Sequence, residues 1–300
     1  MRTSARSQRK RPLEYARIRK SFLGHLEGTL KSSHTMSSYA SDLEAFRSFL
    51  EVQQKTKSPD WSRLTLEHLE EYAEHLKALG QKSNTRRRKL LTLRKLLRYL
   101  HGRKEFPLDV SRKLPTPSKL ERKPQLLDYE ALTRQLEKLP QGTELEQRNA
   151  LLVAFLLETG ALISEVAPLQ WREWNKKSGE IHILGKRERT LLLSADLNER
   201  LRSWWDRVNE AGCPWIFSGH NRFGSRGGAV STRGIELAIK QVASRLGVEE
   251  LVPRLFRQCV ISHWIRQGME SKKIQERLGL TSDYSLRVYF GHIQRSDHMN

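Results

Sequence analysis

Acid is scarce in this chain. Against 54 Lys and Arg stand only 34 Asp and Glu, a net charge of +20 over 300 residues. Between Gly80 and Arg103 there is no acid at all, although Lys82, Arg86, Arg87, Arg88, Lys89, Arg94, Lys95 and Arg98 crowd that stretch. Like charges three and four residues apart on a helix repel unless an anion sits among them. The surplus therefore predicts a polyanionic partner, and nucleic acid is the expected one. Cysteine is nearly absent too: Cys213 and Cys259 are too few and too far apart for a disulfide framework or a zinc site, so reduced thiols and no metal are expected. An apolar run such as Ala150 to Leu157 falls far short of the roughly 20 residues that cross a bilayer. No hydrophobic core follows the basic N-terminus, so a cytoplasmic protein without a membrane partner is expected.

What is present divides the chain. Residues 1–12 carry Arg2, Arg6, Arg9, Lys10 and Arg11 with almost nothing apolar to bury, which predicts a flexible basic arm. Residues 13–110 read as a helical bundle: Leu43, Phe46 and Leu50, and again Leu90, Leu93, Leu97 and Leu100, fall at helical spacing, with Thr65 and Ser83 as expected N-caps. Residues 111–125 hold Pro115, Pro117 and Pro124 among Lys113, Lys119, Arg122 and Lys123, the composition of an extended basic linker that would strap across DNA. A second domain is expected over 126–292, mostly helical, with a strand-like run from Glu180 to Leu193 that turns at Gly185-Lys186-Arg187-Glu188. Phe217 to Ser231 reads as a Gly- and Arg-rich loop, and Ile235, Leu237, Ile239 and Val242 as the apolar positions of the helix after it. Residues 293–300 form a tail. The expected fold class is mainly α, with a small antiparallel sheet in the second domain.

Three blocks carry chemistry. The first is Arg254-Leu255-Phe256-Arg257-Gln258, then Leu278-Gly279-Leu280, then Tyr289 ten residues beyond that glycine. The second is Thr159-Gly160-Ala161-Leu162-Ile163-Ser164-Glu165, continuing through Leu169-Gln170-Trp171. The third is Ile181 to Lys186, followed by Arg189 and Leu191-Leu192-Leu193. Together they resemble the tyrosine recombinase family, which includes the phage integrases and the Xer proteins: its H-x-L-R-H, L-G-H and tyrosine, its T-G-x-R-I-S-E-x-x-x-L-x-W, and its β-hairpin lysine. Ser33-His34-Thr35, Tyr39, Asp42-Leu43, Phe46 and Phe49-Leu50, with the basic run from Ser83 to Arg94, resemble the N-terminal core-binding domain of Xer-like members.

The resemblance implies a two-domain DNA clamp, with a SAM-like helical core-binding domain and a catalytic-type C-terminal domain, and a reaction with no metal and no small-molecule cofactor. In that reaction a tyrosine attacks a DNA phosphate, leaving a 3′-phosphotyrosyl link and a free 5′-hydroxyl. Two arginines and a His or Trp hold the phosphoryl oxygens, a lysine protonates the leaving oxygen, and a histidine assists proton transfer. Mapped by motif, Tyr289 is the expected nucleophile, Arg257 the second arginine and Lys186 the general acid. Leu162 stands at the first arginine position, Arg254 at the first histidine, Gln258 at the histidine after the second arginine, and Leu280 at the His or Trp. Arg254 offers donors and is a candidate to compensate, but it does not exchange protons near neutral pH.

The expected DNA contacts are Arg86, Arg87, Lys89 and Arg94 in the first domain, Lys119 and Lys123 in the linker, and Arg222, Arg226, Arg233 and Lys240 in the second. Arg257, set in an apolar helix, calls for an anionic partner, and Glu165 is the candidate. Eleven residues follow Tyr289, fewer than the family's usual docking helix needs, so cyclic tetramers are not expected. The expected function is a duplex-DNA-binding protein of architectural or regulatory type, associated with the nucleoid and with little or no strand cleavage. It would act as a homo-oligomer or with a related chain. The alternative is a working recombinase with a rearranged active site.

Overall fold

The computed structural model describes residues 14–29, 33–106, 113–118, 120, 124–125, 127–209, 212–220, 226–248 and 251–297. The expected arm at 1–12, together with Lys119, Lys123 and Arg222, lies outside the described residues, and of Arg226 only the backbone is described. The chain forms two compact units that part between residues 122 and 123. No helix among the described residues is long and apolar enough to cross a membrane.

The first unit contains helices α1 (Tyr15–Glu27), α2 (Ser33–Gln53), α3 (Leu66–Ala78) and α4 (Ser83–Gly102). Their apolar stripes meet in one core, in which Leu43, Phe46 and Leu50 of α2 face Leu90, Leu93, Leu97 and Leu100 of α4. Thr65 caps α3 as its position predicts, accepting the His68 N–H while the His68 ring reaches back to the Thr65 N–H. At α4 the start lies one residue earlier than the serine suggests. Lys82 is the N-cap and Ser83 is already helical, with no side-chain cap bond. Phe46 is fully buried, its ring 4.9 Å from that of Tyr72 and 5.4 Å from that of Trp61.

The second unit is built around α6 (Glu144–Thr159), whose run of Leu151, Leu152, Val153, Phe155, Leu156 and Leu157 is buried on every side. A helix apolar all round is stable only at the centre of a fold. A capping box starts it, with Thr143 and Glu146 each accepting the other's backbone N–H, and Gly160 ends it at φ +61°. Around it lie α5 (Tyr129–Glu137), α7 (Ile163–Val166), α8 (Ala195–Val208), α9 (Thr232–Leu246), α10 (Pro253–Arg266), α11 (Ser271–Leu278) and α12 (Tyr284–Asp297). Strands β1 (Trp174–Asn175), β2 (Glu180–Ile183) and β3 (Arg189–Leu192) form an antiparallel sheet in that order, with Ile181 opposite Leu191 and Ile183 opposite Arg189.

The stretch read as a loop from Phe217 to Ser231 is instead partly a hairpin, with β4 (Ser218–His220) pairing antiparallel with β5 (Arg226–Ala229). Glycine has low strand propensity, which hides such a pair from sequence. Here it permits close approach, because a Cβ at Gly219 would stand 3.5 Å from the Gly228 and Ala229 carbonyl oxygens. Buried Arg148 ties the hairpin to α6, its Nη1 donating to the Ser218 carbonyl at 2.8 Å. In α9, Ile235, Ile239 and Val242 are buried as expected, but Leu237 is exposed.

Removal of the Phe46 ring tests the first core. Phe46→Ala should lower unfolding free energy by about 3–5 kcal/mol. The expected readouts are an earlier urea midpoint and faster amide exchange throughout α2 and α4.

Candidate active site

Helix α10 begins with Pro253 at its first turn, a position where the missing N–H costs nothing. Arg254, Arg257 and Gln258 then fall on one face, at i, i+3 and i+4. Arg257 is half-buried. Its Nη1 donates to the Gly160 carbonyl at 2.6 Å and its Nη2 to the Leu278 carbonyl at 2.9 Å. Those two oxygens belong to the C-terminal ends of α6 and α11, where unpaired carbonyls concentrate partial negative charge. Each end is closed by a glycine with positive φ, Gly160 at +61° and Gly279 at +62°. A Cβ on Gly160 would sit 2.8 Å from Val260 Cγ1 and 2.9 Å from Leu278 Cδ2. Burial lowers the Arg257 pKa to about 10, with Glu165 acting in the opposite sense, so the group remains cationic at neutral pH.

Glu165 is not the hydrogen-bonded partner of Arg257. It pairs with Arg189 of β3 through two bonds of 3.0 Å, Nη1 to Oε1 and Nη2 to Oε2. It also accepts the Leu162 N–H at 2.8 Å. The reason is geometric: a planar fork from the strand meets both carboxylate oxygens, while the Arg257 fork is already directed at two helix ends. Arg189 Nε also donates to the Arg277 carbonyl at 2.7 Å, which fastens the β2–β3 hairpin to the end of α11. A Cβ on Gly279 would stand 2.8 Å from Arg187 Cβ and 3.2 Å from the Arg187 carbonyl oxygen, so the hairpin turn rests directly on that glycine. Lys186 is the residue before Arg187. It is exposed on the turn.

Tyr289, on α12, is half-buried against the cluster of Val260, Ile261, Trp264, Ile274, Leu278 and Leu286, which Leu280 also joins. Burial raises the pKa of its hydroxyl, against the pull of a hydrogen bond from the Gln258 amide and the charges of Arg257 and Arg254. Tyr289, Gln258, Arg257 and Arg254 are thus brought together. Gln258 is buried and its Oε1 has no hydrogen-bond partner among the described residues. Leu162 lies at the N-cap of α7, its side chain 37% exposed. Sequence reasoning quoted Arg189 but gave it no role. The signal available was its place two residues before Leu191, on the same face of the strand as that buried leucine, where a charge needs a partner.

The residues expected to meet DNA are distributed as follows. On α4, Arg86, Arg87, Lys89 and Arg94 are half-buried, whereas Lys82, Arg88, Lys95 and Arg98 are exposed. Burial lowers the Lys89 pKa, Asp42 opposing. Arg88 pairs with buried Asp42, which also accepts from Thr92 Oγ1 at 2.8 Å. In the second unit Arg233 and Lys240 of α9 are exposed, and Arg233 is paired with Glu236 one turn on at 3.2 Å. No group of metal-ligating side chains occurs among the described residues.

The Glu165–Arg189 pair gives a pH signature. Burial opposes ionisation of Glu165, but the Arg189 bonds and the Leu162 N–H outweigh it and hold the carboxyl below its ordinary value. Its contribution is therefore complete above the unfolded pKa of about 4.3 and is lost as pH falls through the folded value. Glu165→Gln should cost about 3 kcal/mol at pH 7, because it leaves the Arg189 charge buried and unpaired. Urea titrations at stepped pH should show the difference from the unmodified protein shrinking below pH 4.3.

Comparison with known proteins bears on this arrangement. The phage integrase family pattern matches residues 127–295, and the N-terminal SAM-like domain of phage integrases matches residues 20–104. Tyrosine recombinase XerC of Xanthomonas campestris pv. campestris (strain B100) is 30% identical over 277 residues, 89% of this chain and 82% of that protein. Tyrosine recombinase XerD of Rhizobium meliloti (strain 1021) is 26% identical over 275 residues, 87% of this chain and 86% of that protein. Among solved structures, lambda integrase (75–356) as a dimer bound to a COC' core site aligns with TM-score 0.71 and 13% identity, covering 92% of this chain and 95% of that one. The site-specific recombinase XerH bound to difH in a pre-cleavage complex gives TM-score 0.69 and 17% identity, covering 92% and 81%. By sequence over both of its units, the chain belongs to the phage integrase family of tyrosine recombinases.

Proposed function

We propose that the protein binds duplex DNA through both units and cleaves it slowly or not at all, acting architecturally or as a regulator on the nucleoid. The observation that carries this reading is Leu162: a partly exposed apolar side chain where the family motif has its first arginine, with the nearby Arg189 committed to Glu165. Cleavage would form a bond from Tyr289 Oη to phosphorus and break the bond from phosphorus to the 5′-oxygen. Negative charge then grows on the phosphoryl oxygens. Each preorganised donor missing from such a site costs about 2.7–4 kcal/mol. The replacements at Leu162 and Leu280 remove two, so additive losses would slow the step by roughly four to six powers of ten, less where the groups act as a unit.

Proton traffic adds to the deficit. The raised pKa of Tyr289 keeps its hydroxyl protonated at neutral pH, so attack requires an acceptor for that proton. The groups at hand are the Gln258 amide and the Arg254 and Arg257 guanidinium groups, and none accepts a proton near pH 7. Lys186 remains available to protonate the leaving oxygen. The second reading, a working recombinase, draws on the same neighbourhood: two guanidinium groups bear on the tyrosine, and Arg254 would supply donors that Leu162 does not. Self-association on DNA, or pairing with a related chain, accords with relatives solved as a lambda integrase dimer on a core site and a tetramer on a Holliday junction.

Two measurements test this. Affinity for a selected duplex site should fall steeply with salt, the logarithmic slope changing by about 0.9 for each phosphate neutralised; a flat response between low and moderate salt overturns DNA binding. A nicked suicide substrate carrying that site should give no covalent adduct, or only a trace that vanishes in Tyr289→Phe. Leu162→Arg with Leu280→His should raise the trace. An adduct formed efficiently by the unmodified chain establishes the recombinase reading instead.

A further inference from the structure

The arginines of α4 do not all face the same way, and the chain that follows the helix explains why. Arg94 donates through Nη2 to the Leu114 carbonyl. Arg87 donates through Nη1 to the Pro117 carbonyl at 2.6 Å. Asn84 uses both ends of its amide, Nδ2 to the Leu120 carbonyl and Oδ1 from the Leu120 N–H, each at 3.1 Å. Leu114 itself is buried in the core of the first unit.

The partners form two matching series. Asn84, Arg87 and Arg94 lie on one stripe of α4, and Leu114, Pro117 and Leu120 recur every third residue, the period at which a polyproline-type chain presents the same side. Along the helix, Arg87 to Arg94 spans about 10 Å at 1.5 Å per residue. Leu114 to Pro117 spans about 9 Å at 3.1 Å per residue. The extended segment therefore runs antiparallel to α4, from Leu114 beside Arg94 to Leu120 beside Asn84, and Pro115 and Pro117 reduce the entropy lost in holding it there. A carbonyl attracts a guanidinium far less than a phosphate does, but three anchors and one buried leucine act together.

We propose that Asn84, Arg87 and Arg94 are a staple for the linker, and that the grip on the DNA backbone falls to the exposed Lys95 and Arg98, which line one groove of about 530 Å³ together with Tyr39, Arg88 and the staple residues. Stapling fixes where the linker leaves the first unit, so less conformational freedom is lost when both units engage one duplex. This assignment rests on the DNA-binding reading above and divides the basic helix between two tasks.

Two experiments separate the parts. Without DNA, trypsin cleavage after Lys113 reads the staple alone. Asn84→Ala, which changes no charge, should speed it several-fold at unchanged helix content, and Arg87→Gln should do the same. Unchanged cleavage in both variants overturns the staple whatever the protein does with DNA. With DNA, Asn84→Ala should weaken binding several-fold with the salt slope intact. Arg98→Gln should lower the slope by about 0.9, and Arg87→Gln by less than half of that. An equal loss of slope for Arg87→Gln and Arg98→Gln overturns the division of labour, while absence of any DNA affinity in the unmodified protein overturns the underlying reading and leaves the staple to the protease result.

Discussion

The second unit is organised around a half-buried cation. Arg257 sends one N–H to the last carbonyls of each of two helices, α6 and α11, and so joins the segment containing Leu162 to the segment containing Leu280. Both segments turn away immediately at a left-handed glycine, which frees the carbonyl to point at the guanidinium. The Glu165–Arg189 pair does a parallel job one layer outward, holding the Lys186 hairpin on the same helix end. Tyr289 reaches this frame from α12 through the apolar cluster beneath it. The motif positions are thus held by groups whose bonds are mostly to backbone.

Much of this was legible beforehand. Helical spacing of Leu43, Phe46 and Leu50 and of the α4 leucines located the first core, because period and burial are linked directly in an amphipathic helix. The motif spacing placed Tyr289, Gln258, Arg257 and Arg254 on one neighbourhood, and the turn at Gly185 to Glu188 is a turn. Other features depend on distances that a linear pattern does not contain. Glu165 and Arg257 are the obvious opposite charges of the motif, yet the fork of Arg189 arrives from a strand and takes the carboxylate. The β4–β5 pair hides behind glycines whose value is close backbone approach. The basic helix reads as one cationic face, while in the fold Arg87 and Arg94 turn toward the linker.

That last point changes how the surface charge is understood. Acid-free stretches relieve repulsion either by recruiting a polyanion or by folding neutral acceptors over some of the cations. The first unit does the second with Leu114 and Pro117 carbonyls, and pairs Arg88 with a buried Asp42. Net charge therefore overstates the number of groups open to a phosphate backbone.

Arg257 and Leu162 differ in what the fold asks of them. Leucine at 162 is partly exposed and belongs to neither apolar cluster of the second unit, so other side chains fit there without opening a core. Arg257 is not replaceable in the same way, because its removal would leave two helix ends facing each other with nothing between them. An arginine at this place is consequently accounted for by the scaffold alone, and carries no information about whether the tyrosine beside it reacts.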